Sequence, residues 1–313
     1  MTRRTQAILF DQPGLIATRS LQLKEREANE ALVAIEVSAI STGTERLLYS
    51  GDMPAFPGMG YPLVPGYEAI GRVVRAADDG GPAEGTRVFV PGSNGFLDAK
   101  GLFGASASDL IVRADRLAPL PDSVGEEAVL IALAATAHHA LMRGEHLPDL
   151  IVGHGVLGRL AARLALALGG APKVWETHAG RLSGAHGYEV LSPEADARRD
   201  YRGILDLSGD SAILDTLIAH MARGAEIVLA GFYKAPLSFA FPPAFMREAT
   251  IKIAAEWAPS DMDAVMARLA DGTLDLTGLL THRASPGEAD KAYRTAFQDA
   301  DCLKMIIEWG AGA

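Results

Sequence analysis

The chain has 313 residues, 49% of them apolar and 22% charged, with a formal net charge of −10. This composition fits a globular chain long enough for two medium domains with substantial cores, and the acidic balance argues against a nucleic-acid ligand, whose phosphates need a basic face. The single cysteine, Cys302, excludes an intrachain disulfide framework and a Cys-rich zinc site, and it suits a reducing, cytoplasmic setting.

Residues 1–130 are rich in Gly, Pro and short alternating runs. After Arg3 and Arg4 the apolar run AILF ends at Asp11, which is not a signal-peptide pattern. ALVAIEVSAI (31–40) alternates with period two around Glu36, as a half-buried strand does, and GRVVRAA and GTRVFVPG read as further short strands. The expectation is an irregular, strand-rich domain, a partly open barrel. The apolar stretch 128–142 is too short for a bilayer and contains His138 and His139, so it reads as a buried helix.

From 131 to 258 apolar strands alternate with helices: LIVG, then the helical LGRLAARLALALG, then KVWE, GILDLSG, the helical SAILDTLIAHMARG and the strand AEIVLAGF. This alternation predicts an α/β domain, a doubly wound parallel sheet with helices on both faces. Residues 259–313 revert to a mixed texture, with helices in DMDAVMARLADG and GEADKAYRTAFQD and a last strand in CLKMIIEW. They are expected to complete the first domain.

The strongest local signal is Gly153-His154-Gly155-Val156-Leu157-Gly158, between a predicted strand and a predicted helix. The first glycine permits a tight turn, the second lets backbone approach a pyrophosphate, and the third lets helix pack on strand. The helix N-terminus then offers unpaired N–H groups to phosphate. Glu176 ends KVWE, 18 residues past Gly158. An acid there hydrogen-bonds ribose hydroxyls and disfavours a 2′-phosphate, which points to NAD rather than NADP. A solvated Glu beside an ordinary strand–helix turn is the plainer alternative. His154 reads as a bystander. Ser208 and Gly231, in the turns after later strands, are counted with the cofactor site.

This domain order, with PLVPGYEAIGRVV, ISTGTERL and ALAATAHHAL, resembles the medium-chain dehydrogenase/reductase superfamily over essentially the whole chain. The resemblance implies a Rossmann domain and a GroES-like catalytic domain, with Thr136 packed on nicotinamide. STGTERLLYSGDMPAFPGMGYPLVPGYEAIGRV and FVPGSNGFLDAKGLFGASASDLIV are similar to one family within it, the bacteriochlorophyllide a dehydrogenases. That resemblance implies NAD-dependent oxidation of a 1-hydroxyethyl group on a Mg-tetrapyrrole to acetyl. It also implies a possible homodimer through the Rossmann sheet edge, with the segment 240–245, read as strand, at the contact.

The sequence departs from the zinc-dependent members. Where they carry a ligand Cys and a ligand His, this chain has Thr42 and Tyr67, and neither neutral hydroxyl is a normal zinc ligand. No catalytic or structural zinc is expected. Proton handling then falls to Thr44 and Tyr67, with Glu68 behind them as a structural or electrostatic acid paired with an Arg such as Arg46, and with His139 as a further relay candidate. Two Gly-rich aromatic loops supply Phe56, Tyr61, Phe96 and Phe103 as walls for a flat apolar ligand, and Arg46 or Lys100 as anchors for its carboxylate. A zinc-independent quinone or enoyl reductase and a non-catalytic pigment or NAD carrier remain open at this point, since fold alone does not fix function.

Overall fold

Alternation in the first hundred residues does build strands. The structure, a computed structural model, describes residues 3–54, 57–122 and 124–310. It divides into a first unit, Met1–Ala132 with Thr277–Ala313, and a second unit, Leu133–Leu276. The sequence placed the return to the first domain at 259, whereas the second unit runs to Leu276. The reason is that Asp261 and the Asp275 carbonyl both bond to side chains of the second unit, His138, His139 and Arg163.

The first unit opens with β1 (Arg4–Gln12), β2 (Leu15–Gln22), β3 (Glu30–Ala39) and helix α1 (Thr44–Ser50). It continues through β4 (Leu63–Val64), β5 (Ala69–Arg75), β6 (Arg87–Val90), β7 (Lys100–Gly101), β8 (Asp109–Arg113) and β9 (Ala118–Pro119). In β3 Val33, Ile35 and Val37 are buried and Glu36 reaches Arg72 and Arg87 at 3.1 and 2.8 Å, but the expected half-buried alternation is confined to Ala34 and Glu36, because Leu32 and Ser38 on the same face are buried as well.

The second unit follows the βαβ reading. It contains α2 (Ile131–Met142, whose first two residues fall in the first unit), β10 (Leu150–Val152), α3 (Val156–Ala167), β11 (Lys173–Trp175), β12 (Glu189–Leu191) and β13 (Tyr201–Asp206). It ends with α4 (Leu214–His220), β14 (Met221–Leu229), α5 (Phe241–Arg247), β15 (Thr250–Ile253) and α6 (Pro259–Ala270). All six strands pair in parallel in the order β12-β11-β10-β13-β14-β15. This order reverses direction between β10 and β13, the point at which doubly wound sheets bind ligands. Two expectations change here. The helix read into 211–224 stops at His220, because Met221 already pairs with Tyr201 of β13 and tertiary pairing overrides local propensity. Segment 240–245 is helical rather than extended, with its prolines at the helix start, where a missing N–H costs nothing.

Back in the first unit, β16 (His282–Ala284), α7 (Ala289–Gln298) and β17 (Met305–Glu308) complete the larger sheet, β17 pairing antiparallel with β3. That sheet has the order β16-β17-β3-β5-β6-β9, with β8 also on β3, and a smaller sheet runs β2-β1-β4-β7. Among the described residues no helix is long and apolar enough to cross a membrane.

Candidate functional site

In the first unit the polar residues converge just past the end of β3. Chain reversal after Ala39 brings Ser41, the start of α1 and the β4–β5 loop together. The Ser41 hydroxyl lies 2.8 Å from the Tyr67 hydroxyl, and Thr44 is a second hydroxyl neighbour of the same phenol. Burial, with the Glu68 charge next, raises the pKa of Tyr67, so the phenol keeps its proton and has a hydrogen to donate. The Tyr67 ring meets Phe103 edge to face, with centroids 5.4 Å apart. Phe103 holds a left-handed backbone (φ 64°), a strained position for a bulky residue and of the kind that gathers at functional sites.

Beneath the hydroxyls lies a buried charge cluster. Glu45 and Glu68 are both 0% exposed and Lys304 is 1% exposed. Glu68 is in ion contact with Lys304 through Oε2, and no described residue hydrogen-bonds its Oε1. The expected Arg46 partner is wrong: Arg46 is exposed on α1, and the lysine just before β17 takes the role. Glu45 accepts the Ser41 backbone N–H at 2.9 Å and the Tyr293 hydroxyl at 2.7 Å. Burial is the main cause that lifts the Glu45 carboxyl to about 7.

The aromatic walls divide. Phe103 is partly exposed beside Tyr67, whereas Phe96 is 7% exposed and packs in the core of the first unit with Leu23, Val90 and Leu110, so it is a core residue and not a cleft wall. Tyr61 donates to the Leu48 carbonyl and packs against the second core cluster of that unit. Lys100 lies exposed in β7. Phe56 lies outside the described residues.

In the second unit four of the expected cofactor residues sit just past the carboxyl ends of adjacent parallel strands: Glu176 after β11, Gly153 after β10, Ser208 after β13 and Gly231 after β14. Gly153 has φ 100° and donates to the Trp175 carbonyl at 2.8 Å. A Cβ on Gly158 would lie 1.8 Å from the Gly153 carbonyl oxygen, so only glycine lets α3 come this close to β10. Gly155 is the N-cap of α3 and supplies no side chain to its first turn, where Val156 and Leu157 stand. Those N–H groups keep their capacity for an anion. Ser208 N–H and Gly231 N–H bond to Asp206 Oδ1 and to the Asp206 carbonyl, at 2.9 and 3.1 Å.

Glu176 has more partners than expected. Oε1 accepts the Thr177 and His178 N–H groups at 2.8 Å each, and Oε2 accepts the His154 N–H at 3.0 Å. A carboxylate offers about four acceptor sites, so three backbone bonds leave room for one ribose hydroxyl. His154 is fully buried, with Nδ1 2.6 Å from the Arg181 carbonyl and Nε2 2.8 Å from the Tyr188 hydroxyl. Burial pulls its pKa down to about 4, so at neutral pH it is an uncharged clamp. Arg159 donates to three carbonyls, from Nε to His154 at 3.1 Å, from Nη2 to Ser183 at 2.8 Å and from Nη1 to Gly184 at 2.9 Å. The β11–β12 connection carries only a short 3-10 turn, Ala179–Arg181, and these side chains hold it in place of a helix.

His139, expected as a relay, shares one carboxylate with its neighbour. His138 Nδ1 and His139 Nδ1 lie 2.8 and 2.9 Å from the two oxygens of Asp261, which also accepts the Ala258 N–H at 2.8 Å. These bonds lower the Asp261 pKa against the effect of burial. The carboxylate only accepts, so both Nδ1 atoms carry hydrogen, and a relay through His139 falls to Nε2. Thr136 is half-buried on the same helix.

Residues 27–122 match the family described as "Alcohol dehydrogenase GroES-like domain". A 2-desacetyl-2-hydroxyethyl bacteriochlorophyllide A dehydrogenase of Cereibacter sphaeroides is 54% identical over 99% of this chain and 100% of its own length. One of the same description from Rhodobacter capsulatus is 53% identical over 97% of this chain and 98% of its own. Among solved structures, an alcohol dehydrogenase of Escherichia coli CFT073 complexed with NADH superposes with a TM-score of 0.83 at 20% identity, covering 98% of this chain and 99% of that one.

Proposed function

The chain belongs to the medium-chain dehydrogenase/reductase superfamily and, within it, to the bacteriochlorophyllide a dehydrogenases. From that premise we propose that it oxidises the 3-(1-hydroxyethyl) group of a bacteriochlorophyllide to 3-acetyl in bacteriochlorophyll biosynthesis, in the cytoplasm, with NAD as hydride acceptor. The observation that carries the reading is 54% identity along the whole length of a relative of that description.

The cofactor pyrophosphate is assigned to the N–H groups of Val156, Leu157 and Gly158 at the start of α3, and a ribose hydroxyl to the remaining acceptor site of Glu176. NAD, when bound, supplies the hydride-accepting ring carbon. The donor set at positions 42 and 67 does not fit a zinc ion. Thr42 is a neutral hydroxyl, Tyr67 keeps its proton, and no group of three or more His, Cys, Asp or Glu able to hold a metal occurs among the described residues. No step is therefore routed through a metal. The carbinol carbon gives up a hydride to NAD, and its oxygen gives up a proton that the Thr44 hydroxyl relays to solvent water, while Tyr67 donates to the same oxygen as charge develops.

Purified protein is expected to convert the hydroxyethyl pigment with NAD to the acetyl product, read as a red-shift of the long-wavelength band with one NADH formed per pigment. NAD is expected to outperform NADP. A strong NADPH preference with enone substrates would assign the chain to the reductases instead.

The partner reading is a homodimer across the edge of the second unit's sheet. Among the described residues β15 ends the sheet with one unpaired side, and Phe241, Phe245, Met246 and Ile253, on it or in the helix before it, are 64–69% exposed. Light scattering is expected to give a dimer mass, and Phe245→Asp with Ile253→Lys is expected to give a monomer.

A further inference from the structure

The cluster beneath the hydroxyl pair has an unequal charge count. Two fully buried carboxylates, Glu45 and Glu68, face one buried ammonium, Lys304. Glu68 takes the ammonium. Glu45 is left with neutral donors, the Ser41 N–H and the Tyr293 hydroxyl. A buried carboxylate held only by neutral donors is expensive to keep ionised. Glu45 is therefore the member of the cluster on which a proton is gained and lost near neutrality, at about 7.

Ser41 connects this acid to the reacting end. Its N–H is held by Glu45 and its hydroxyl by Tyr67, so one residue spans both. A charge-assisted bond is roughly twice as strong as a neutral one, so the ionised carboxylate fixes Ser41 and the protonated one loosens it. The groups facing Glu45 are Glu68 and Tyr67 from the β4–β5 loop, Lys304 ahead of β17 and Tyr293 on α7, with Ser106 behind Tyr293. The Glu68 charge opposes ionisation of Glu45, and Lys304 favours it.

We propose that Glu45 is a positioning residue whose ionised form holds the Ser41–Tyr67 hydroxyl pair in working geometry, so that a proton on Glu45 switches the oxidation down. The proposal rests on the assignment of Thr44 and Tyr67 to the reacting oxygen. The group has a raised pKa, so its ionised form, and with it kcat, is full above the folded value and falls as pH drops through it.

The test is the pH profile of kcat for the full chain with pigment and NAD. The wild type is expected to lose activity on the acid side with a midpoint near about 7. Glu45→Gln is expected to run at a reduced rate with that limb absent. Tyr293→Phe removes one donor to the carboxylate and is expected to move the limb up by about one pH unit. Infrared titration of the same proteins reads the group without turnover: a protonated-carboxyl band that appears as pH falls through about 7, is missing from Glu45→Gln and shifts in Tyr293→Phe. If Glu45→Gln does not fold, Tyr293→Phe decides. A limb and band unmoved by either substitution overturn the proposal, while loss of activity in Thr44→Val and Tyr67→Phe leaves the assignment beneath it standing. If those two variants keep full activity, the assignment itself falls, and the gate with it.

Discussion

Lys304→Met is expected to destabilise the protein by about 3–5 kcal/mol, read as a lowered urea midpoint. The lysine is 1% exposed and in contact with a fully buried Glu68 whose Oε1 has no hydrogen-bond partner among the described residues. Without the ammonium the carboxylate must either stay ionised in an apolar site or take up a proton, and both cost stability. The double variant Glu68→Gln with Lys304→Met removes both charges, and it is expected to recover most of the loss, because well-packed neutral groups replace buried ion pairs at little cost. The comparison separates lost packing from an orphaned charge. An unchanged midpoint in Lys304→Met would mean that Glu68 has another counter-charge. Arg46, the partner read from the sequence, is exposed on α1 and does not supply one.

That wrong partner shows where sequence reading reaches its limit. The glycine turn was legible because its physics is local: Gly153 needs its positive φ, and Gly158 leaves no room for a Cβ. Glu176 was read from its spacing, 18 residues past Gly158 at the end of KVWE, and the pairing of β11 with β10 sets it beside the glycine turn. The strand-rich first unit and the βαβ second unit followed from hydrophobic period. The buried polar cluster was half legible. Thr44, Tyr67 and Glu68 lie in two short segments whose pattern is recognisable. Lys304 and Tyr293 reach the site from the C-terminal end of the chain, and little in their own neighbourhoods marks them as polar partners of the β4–β5 loop and α1. A lysine inside CLKMIIEW was the one available signal, since a charge in a buried strand requires a partner. Phe96 illustrates the opposite error, an aromatic in a Gly-rich loop that the fold turns inward. His154 and Arg159 were missed as loop clamps because the carbonyls they hold, Arg181 and Gly184, belong to a distant loop whose own residues carry no matching pattern.

Tyr67→Phe and Thr44→Val are each expected to lower kcat by about 100- to 1,000-fold with little change in KM, the signature of donors whose bonds strengthen as charge develops on the oxygen. The phenol is suited to donation and not to proton abstraction. Burial and Glu68 both raise its pKa, so it stays protonated across the neutral range. In the proposed role, with its own proton donated to the substrate oxygen, it can still accept one from the Ser41 hydroxyl at 2.8 Å, and such a chain polarises toward the developing charge. Phe in its place keeps the ring against Phe103 and deletes only the donor, so its effect reads the hydroxyl alone. Thr44→Val likewise keeps the branched shape. The proposed function puts the two on one oxygen, so the double variant is expected to lose far less than the product of the single losses. Single-turnover formation of NADH from bound pigment measures this directly. Full multiplicativity would place the two hydroxyls on different steps. An undiminished rate in Tyr67→Phe would leave its ring, and not its hydroxyl, as what the site requires at that position.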